Sequence, residues 1–148
     1  MDVVDAIQER WQQDEILGYD CVTFSDGRVV LLNCLELGDK IIINPYAGSS
    51  VDQIVEYESE PWSSIESYGS ISIPQNGYEL LFGEGAMGNE GFIACTNSGI
   101  LNWSLFLTKY NPIQRGEILD ESHAVFFSEY IKLIVNFKKP IEIDVYPI

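Results

Sequence analysis

The chain has 148 residues, of which 46% are hydrophobic and 12% aromatic, and its 23 Asp and Glu against eight Lys and Arg give a formal net charge of −15. This apolar content is that of a folded protein, so the length predicts one domain over residues 1–148 with a single core. The charge argues against binding to nucleic acid or to an anionic membrane, because both are negative, and it favours a basic partner.

The acidic residues are concentrated in the first part of the chain. Residues 1–90 contain 17 Asp and Glu against three Lys and Arg, whereas residues 91–148 contain six against five. No basic residue lies between Lys40 and Lys109, and eight acidic residues fall in that gap. Because no cations are interleaved with them, these acids cannot form local ion pairs, so they either lie in water or face a positive surface.

The first predicted element is an amphipathic helix within Asp2–Leu17, whose apolar residues recur at helical spacing and which ends at Gly18. A β-hairpin follows, with strands at Asp20–Phe24 and Val29–Leu35. Asp26-Gly27 lies between them, and Asp-Gly between apolar runs is a strong turn signal. The chain is therefore predicted to begin with one helix and two antiparallel strands.

A short strand at Ile41–Asn44 is predicted to end at the proline that follows, which has no N–H for a sheet hydrogen bond. Ser50 and Gln53 then have the spacing of a capping box. This predicts a second, short and acidic helix that reaches about Ser59.

The centre of the chain is predicted to be a hairpin of strands Phe92–Thr96 and Ile100–Thr108, joined at Asn97-Ser98-Gly99 because Asn and Gly adopt positive φ at low cost. A short edge strand is predicted earlier, at Ser70–Pro74. The glycine-rich loop Gly83–Gly91 superficially resembles a phosphate-binding loop. Its two glutamates would repel phosphate, and a strand follows it instead of a helix, so we interpret it as a mobile connection or a partner-binding loop.

Three further strands are predicted near the end of the chain, at Ala124–Phe127, Tyr130–Phe137 and Ile141–Tyr146, and polar and apolar residues alternate in the last two. The polar segment Gln114–His123 is predicted to be a connection. Together the elements predict an α+β fold: a mainly antiparallel sheet of about six to nine strands with the N-terminal helix and one further short helix.

Few residues offer catalytic or metal-binding chemistry. His123 is the only histidine, and Cys21, Cys34 and Cys95 are far apart in apolar contexts typical of reduced core thiols. The sequence therefore predicts no metal site, no cofactor and no catalytic triad. Two carboxylates that meet in a cleft could still hydrolyse a glycoside, so this alternative stays open.

The sequence also carries an expectation about location. No segment reaches the roughly eighteen apolar residues of a membrane span. The first residues, MDVVD, lack the basic region of a signal peptide. We therefore expect a cytoplasmic protein that does not enter the membrane.

The stretch from Gly83 to Pro112 contains Gly-Glu-Gly-x-x-Gly-x-Glu-Gly-Phe-Ile, a hairpin, Leu-x-Trp-x-x-Phe and Asn-Pro. It resembles a group of small bacterial immunity proteins that are encoded beside contact-dependent growth inhibition toxins or other polymorphic toxins, and Pro140-x-x-Ile143 fits the same pattern. The resemblance implies a non-enzymatic cytoplasmic protein that binds one cognate toxin domain, often a basic nuclease. Such a protein blocks the active site of the toxin or its access to a target.

We therefore predict a toxin-facing acidic surface with an aromatic anchor. An acidic face attracts a basic partner and raises the association rate, and aromatic side chains then hold the complex. The residues predicted to form this surface are Glu56, Glu58, Glu60, Trp62, Glu66, Glu84 and Glu90. Two alternatives remain: a small carboxylate-based hydrolase, which requires a deep cleft with two carboxylates, and a generic intracellular adaptor, which would bind several peptides.

Overall fold

The computed structural model describes residues 2–110 and 112–148. Met1 and Asn111 lie outside the described residues, and with Asn111 lies part of the predicted end of the central hairpin. The helices are α1 (Val3–Gln12) and α2 (Val51–Tyr57). The strands are β1 (Glu15–Leu17), β2 (Cys21–Phe24), β3 (Arg28–Leu37), β4 (Lys40–Ser50), β5 (Trp62–Ser72), β6 (Tyr78–Gly85), β7 (Gly91–Asn97), β8 (Ile100–Leu107), β9 (Arg115–Ile118), β10 (His123–Phe127), β11 (Ile131–Asn136) and β12 (Ile143–Pro147). The predicted α+β class, the N-terminal helix and the second short helix are confirmed.

The strands form two antiparallel sheets, so the expectation of one sheet with six to nine strands is corrected. The order is β1-β5-β6-β7-β8-β2-β3-β4 in the eight-stranded sheet and β12-β11-β10-β9 in the four-stranded sheet. The predicted hairpins around Gly27 and Ser98-Gly99 are confirmed, and these three residues have the positive φ angles, 96°, 52° and 81°, that their turns require.

The eight-stranded sheet is the middle of three layers. Neighbouring residues of a strand point to opposite faces, and β7 is buried on both. Ile93 belongs to the core cluster that contains Phe126 and Leu133 of the four-stranded sheet. Phe92 belongs to a second cluster, with Ile7 of α1 and Val51 of α2. The four-stranded sheet therefore covers one face of the larger sheet, and both helices lie on the other.

Both helices begin at side-chain caps. Asp2 accepts a hydrogen bond from the backbone N–H of Asp5 at 2.9 Å, and Ser50 accepts one from the N–H of Gln53 at 3.1 Å, which is the first half of the predicted capping box; the side-chain oxygen of Gln53 accepts from the hydroxyl of Ser49. Neither helix in the described part of the chain has the length and apolar character needed to cross a membrane.

The N-terminal helix is shorter than predicted. It ends at Gln12, because Asp14 adopts a φ of 58°, which interrupts helical geometry. The residues Glu15–Leu17 form β1 and pair with β5, and Ile16 is buried against the sheet. Tertiary pairing therefore overrides the helical spacing of the apolar residues.

Two strands are longer than predicted. Pro45 does not end β4, because β4 is an edge strand with a β-bulge beside the proline: Leu31 pairs with Ala47 and Leu32 with Pro45, so Tyr46 is the extra residue. β5 begins at Trp62, eight residues before the predicted edge strand, and continues through Ser and Glu residues to Ser72. Most of its side chains are exposed or half-buried, so hydrophobic alternation does not reveal it.

The glycine-rich segment begins and ends in strands, which corrects the prediction of a continuous loop over residues 83–91, and only residues 86–90 form the connection. β6 runs to Gly85, and β7 begins at Gly91. Gly83 is required here, because a Cβ at this position would overlap the backbone oxygen of Glu66 on β5. The predicted connection after Gln114 likewise contains β9, a four-residue edge strand.

Candidate functional site

Three of the predicted carboxylates lie at the C-terminal end of α2. Glu56 is in its last turn, Glu58 is the C-cap residue, and Glu60 lies in the loop before β5; all three are exposed. None of them forms an ion pair with a base in the described part of the chain. The C-terminal end of a helix carries partial negative charge, so acids here disfavour the helix and attract an external cation. We call these three residues the α2 carboxylates.

A cleft of about 510 Å³ opens beside them, which we call the tyrosine cleft. Its lining residues are Tyr19, Leu31, Tyr46, Ser49, Gln53, Ile54, Tyr57 and Glu58. Leu31 and Ile54 pack against the core cluster on the helical face of the large sheet. Tyr46 and Tyr57 are 58% and 87% exposed, so their rings are available to a partner.

The hydrogen bonds around α2 fix the position of this cleft. The N–H of Val51 donates to the carbonyl of Gly27 at 2.9 Å, which ties the start of α2 to the β2–β3 turn. The hydroxyl of Ser49 donates to Oε1 of Gln53 at 3.2 Å, and the N–H of Glu58 donates to the carbonyl of Ile54 at 3.0 Å. The start of the short helix is therefore tied to the sheet, and its last turn is closed by its own backbone hydrogen bond.

The tyrosine at the inner side of the cleft has a perturbed hydroxyl group. Burial raises the pKa of Tyr19, and the negative charge of Glu58 raises it further. Its hydroxyl therefore stays protonated and can donate a hydrogen bond. Glu58 and Tyr19 line the same cleft, so the carboxylate lies close enough to act on the tyrosine hydroxyl.

Trp62, the predicted anchor, is half-buried at the start of β5. It pairs with Leu17 of β1 and packs against the core cluster on the helical face. The guanidinium of Arg10 lies over its ring, 5.2 Å from the centroid, and also contacts Oε1 of Glu15 at 3.0 Å. The structure therefore gives Trp62 intramolecular partners on this ring face.

The other three predicted carboxylates lie near the junction of β5, β6 and β7. The register places Glu66 directly opposite Glu84, and like charges in such a pair repel. The hydroxyl of Tyr68 donates a hydrogen bond to Glu84, which raises the pKa of Tyr68 to about 12. In the following turn, Oε1 of Glu90 accepts a hydrogen bond from the N–H of Met87 at 3.4 Å. We call Glu66, Glu84 and Glu90 the β-edge carboxylates.

The predicted residues are thus divided into two groups. On β6, Phe82 belongs to the cluster between the sheets, and Glu84, two residues later, points to that same face. α2 packs on the opposite face through Val51. Glu66 and Glu84 therefore belong to the face of the eight-stranded sheet opposite the α2 carboxylates, whereas Glu90 lies beside Gly85 on the side where Phe106 of the helical-face cluster packs.

The three cysteines and His123, which are the other side chains with reactive groups, have surroundings typical of structural residues. The three cysteines are free, and burial raises the pKa of Cys21 to about 12 and those of Cys34 and Cys95 to about 11, so their thiols are protonated at neutral pH. His123 lies at the end of an exposed turn, with Nδ1 2.9 Å from Oδ1 of Asp120. Within the described ranges, no group of three or more His, Cys, Asp or Glu side chains is arranged to hold a metal ion.

Sequence reasoning identified the acids of this site and missed its tyrosines. Tyr19 lies between β1 and β2, Tyr46 lies on β4, and Tyr57 is the last residue of α2. They are far apart in the chain and meet only because β3 and β4 extend beneath α2. A local signal existed at Tyr57, a large aromatic residue flanked by two glutamates at the end of a predicted helix.

Comparisons of the chain with protein-family models, with curated proteins and with solved structures give no match. Its function is therefore inferred from the α2 carboxylates, the tyrosine cleft and the charge distribution.

Proposed function

We propose that this protein is a cytoplasmic, non-enzymatic immunity protein that binds one basic toxin domain and neutralises it, and that the α2 carboxylates form the centre of the toxin-binding surface. One observation carries the proposal: in the described part of the chain, none of these three exposed acids is paired with a base. The last turn of α2 also has no basic residue. The resemblance of the Gly83–Pro112 stretch to immunity proteins supports the same conclusion.

Electrostatics explains how such a surface would act. The net charge of −15 creates a long-range field that attracts a basic domain, and clustered charges raise association rates by about ten- to a thousand-fold at low salt. The toxin's own basic residues, which a nuclease needs for its phosphate substrate, would then be covered. The same charge keeps the immunity protein away from nucleic acid, so it would not compete for the toxin's substrate.

Isolation of the partner is the first experiment. Tagged protein is used to capture partners from the cells that produce it, over a series of salt concentrations, and the bound proteins are identified by mass spectrometry. We expect one basic toxin domain, whose retention decreases as salt rises, and whose toxic activity is lost when the two proteins are mixed. Failure to retain any basic protein at low salt would contradict the proposal.

Charge reversal then locates the surface. The triple variant Glu56→Lys, Glu58→Lys, Glu60→Lys should reduce the association rate about tenfold or more and flatten its salt dependence. The matched control reverses three exposed acids outside both groups, at Asp39, Glu121 and Asp144, and changes the net charge equally. In the part of the chain that the structure describes, none of these three control residues forms an ion pair. Equal effects of the two variants would show that total charge matters and that the α2 carboxylates do not form the interface.

The second group of predicted residues is tested in the same way. Reversal of Glu66 and Glu84 distinguishes a surface confined to α2 from one that extends to the other face of the sheet, and reversal of Glu90 tests separately whether the surface extends along the helical face. Because Glu66 and Glu84 lie opposite one another, they are also the pair on which the alternative of a carboxylate hydrolase would depend. Turnover of a glycoside by the protein that is abolished in Glu84→Gln would favour that alternative, and capture of many unrelated peptides would favour the adaptor.

A further inference from the structure

The tyrosine cleft combines apolar, aromatic and negative groups in a way that restricts what can bind there. Tyr19, Tyr46 and Tyr57 come from three separate elements and surround a floor that includes Leu31, with Glu58 among the lining residues. Its volume of about 510 Å³ is within the range of binding sites for small groups and inserted side chains.

The aromatic rings of the cleft lack the cation partners that other rings in this chain possess. All three arginines and one lysine lie over aromatic rings, at 3.9 to 5.6 Å from the ring centroids. These pairs are Arg10 with Trp62, Arg28 with Phe24, Arg115 with Phe127 and Lys132 with Tyr146. In the described part of the chain no base lies over a tyrosine of the cleft, so these rings keep their negative faces available.

The charge at the cleft selects the sign of the occupant. Glu58 lines it, and Glu56 and Glu60 lie two residues away on either side. An anion would be repelled by these acids, and a purely apolar group would remove water from Glu58 without giving it a partner. A cation would satisfy Glu58, stack on the rings and face the negative end of α2.

We propose that the tyrosine cleft receives an arginine side chain of the basic partner, held between the tyrosine rings and paired with Glu58. Arginine suits the site better than lysine, because its planar guanidinium stacks on aromatic faces, forms two-pronged hydrogen bonds to a carboxylate and is more weakly hydrated. This inference rests on the proposed function for the identity of the partner, and it adds the side chain that anchors the complex and the place where it inserts.

The first test separates the anchor from long-range attraction. Tyr57→Ala should weaken binding of the captured basic partner about 2- to 30-fold, the range expected for loss of one cation–π contact, and mainly by faster dissociation. Tyr130→Ala is the control, because Tyr130 is 69% exposed and lies in the β10–β11 turn, away from the cleft. If both variants bind the partner equally, the inference is wrong, while the proposed function stands.

A pair of glutamate variants distinguishes the cleft from the surrounding charge. Glu58→Gln and Glu60→Gln remove the same charge from neighbouring exposed positions, but only Glu58 lines the cleft. Both should slow association similarly, and only Glu58→Gln should also accelerate dissociation. Identical dissociation rates for the two variants would overturn the pairing of Glu58 with the inserted side chain.

The second test needs no partner, so it can fail or succeed independently of the proposed function. The full chain is labelled with 3-fluorotyrosine and titrated with a blocked Gly-Gly-Arg-Gly-Gly pentapeptide, and ¹⁹F signals are assigned from single Tyr→Phe variants. We expect the signals of Tyr19, Tyr46 and Tyr57 to shift, and the matched citrulline peptide, which lacks the charge, to leave them unchanged. Absence of any shift with the arginine peptide, or equal shifts with both peptides, would overturn the proposal.

Discussion

The acids at the end of α2 should reduce the stability of the free protein, and this can be measured by reversing one of them. Glu56 lies in the last turn, where the helix ends with partial negative charge, and it is four residues after Asp52, so two like charges face each other on the helix surface. Glu56→Lys removes both repulsions and replaces them with attractions. Because Glu and Lys have similar helix propensities, the substitution changes little else.

The expected gain follows from these two interactions. A charge at a helix end contributes about 0.3–1 kcal/mol, and a charged pair four residues apart contributes about 0.2–0.5 kcal/mol. Glu56 is exposed and the helix has only seven residues, so we take the low end of these ranges. Reversal of the charge should therefore increase the free energy of unfolding by about 1 kcal/mol. For a chain of this size, this raises the melting temperature by about 2–4 °C.

The assay is urea and thermal unfolding at low and high salt, with Asp52→Lys as the control. That control makes the same charge change at the other end of α2, where an acid is favourable, so it should leave stability unchanged or lower it. Relief of the general negative charge is common to both variants and cancels in their difference. Equal stability of the two variants at low salt would refute the idea that the position of Glu56 opposes folding, and with it the argument that this acid is present for binding.

Three further predictions concern the rest of the fold. Gly83→Ala should lower the free energy of unfolding by about 2–3 kcal/mol, because its Cβ would overlap the neighbouring strand, while Gly48→Ala, where the space is open, should have little effect; urea unfolding compares them. Glu84→Gln should lower the pKa of Tyr68 from about 12 toward 10, as measured by tyrosinate absorbance. Since the folded-state pKa is the higher one, the contribution of this hydrogen bond to stability is complete below pH 10 and is lost as pH rises toward 12. Iodoacetamide should modify Cys34 first, because the other two cysteines are buried, yet more slowly than an ordinary thiol, because its pKa is about 11; modification of all three at equal rates would contradict this.

Local chemistry in the sequence predicted the elements that depend on a few adjacent residues. The turn at Gly27, the turn at Ser98-Gly99 and the cap at Ser50 each require a particular residue for φ or for a hydrogen bond, and all three form as predicted. The alternation of apolar and polar residues likewise predicted β11, and its apolar residues are the buried ones in the structure. The acids at the end of α2 were also predictable, since a run without bases is visible in the sequence alone.

Tertiary structure decided everything that depends on partners distant in the chain. β5 carries mostly polar side chains, so only its pairing with β1 and β6 makes it a strand. The register that sets Glu66 opposite Glu84, on the face away from α2, depends on the close approach of two strands at Gly83. The tyrosine cleft exists because Tyr19, Tyr46 and Tyr57, from three separate elements, meet beside Glu58. Composition alone predicted that the partner carries positive charge. Only the fold placed aromatic rings beside the acidic residues of α2, because burial and strand register are properties of the whole chain.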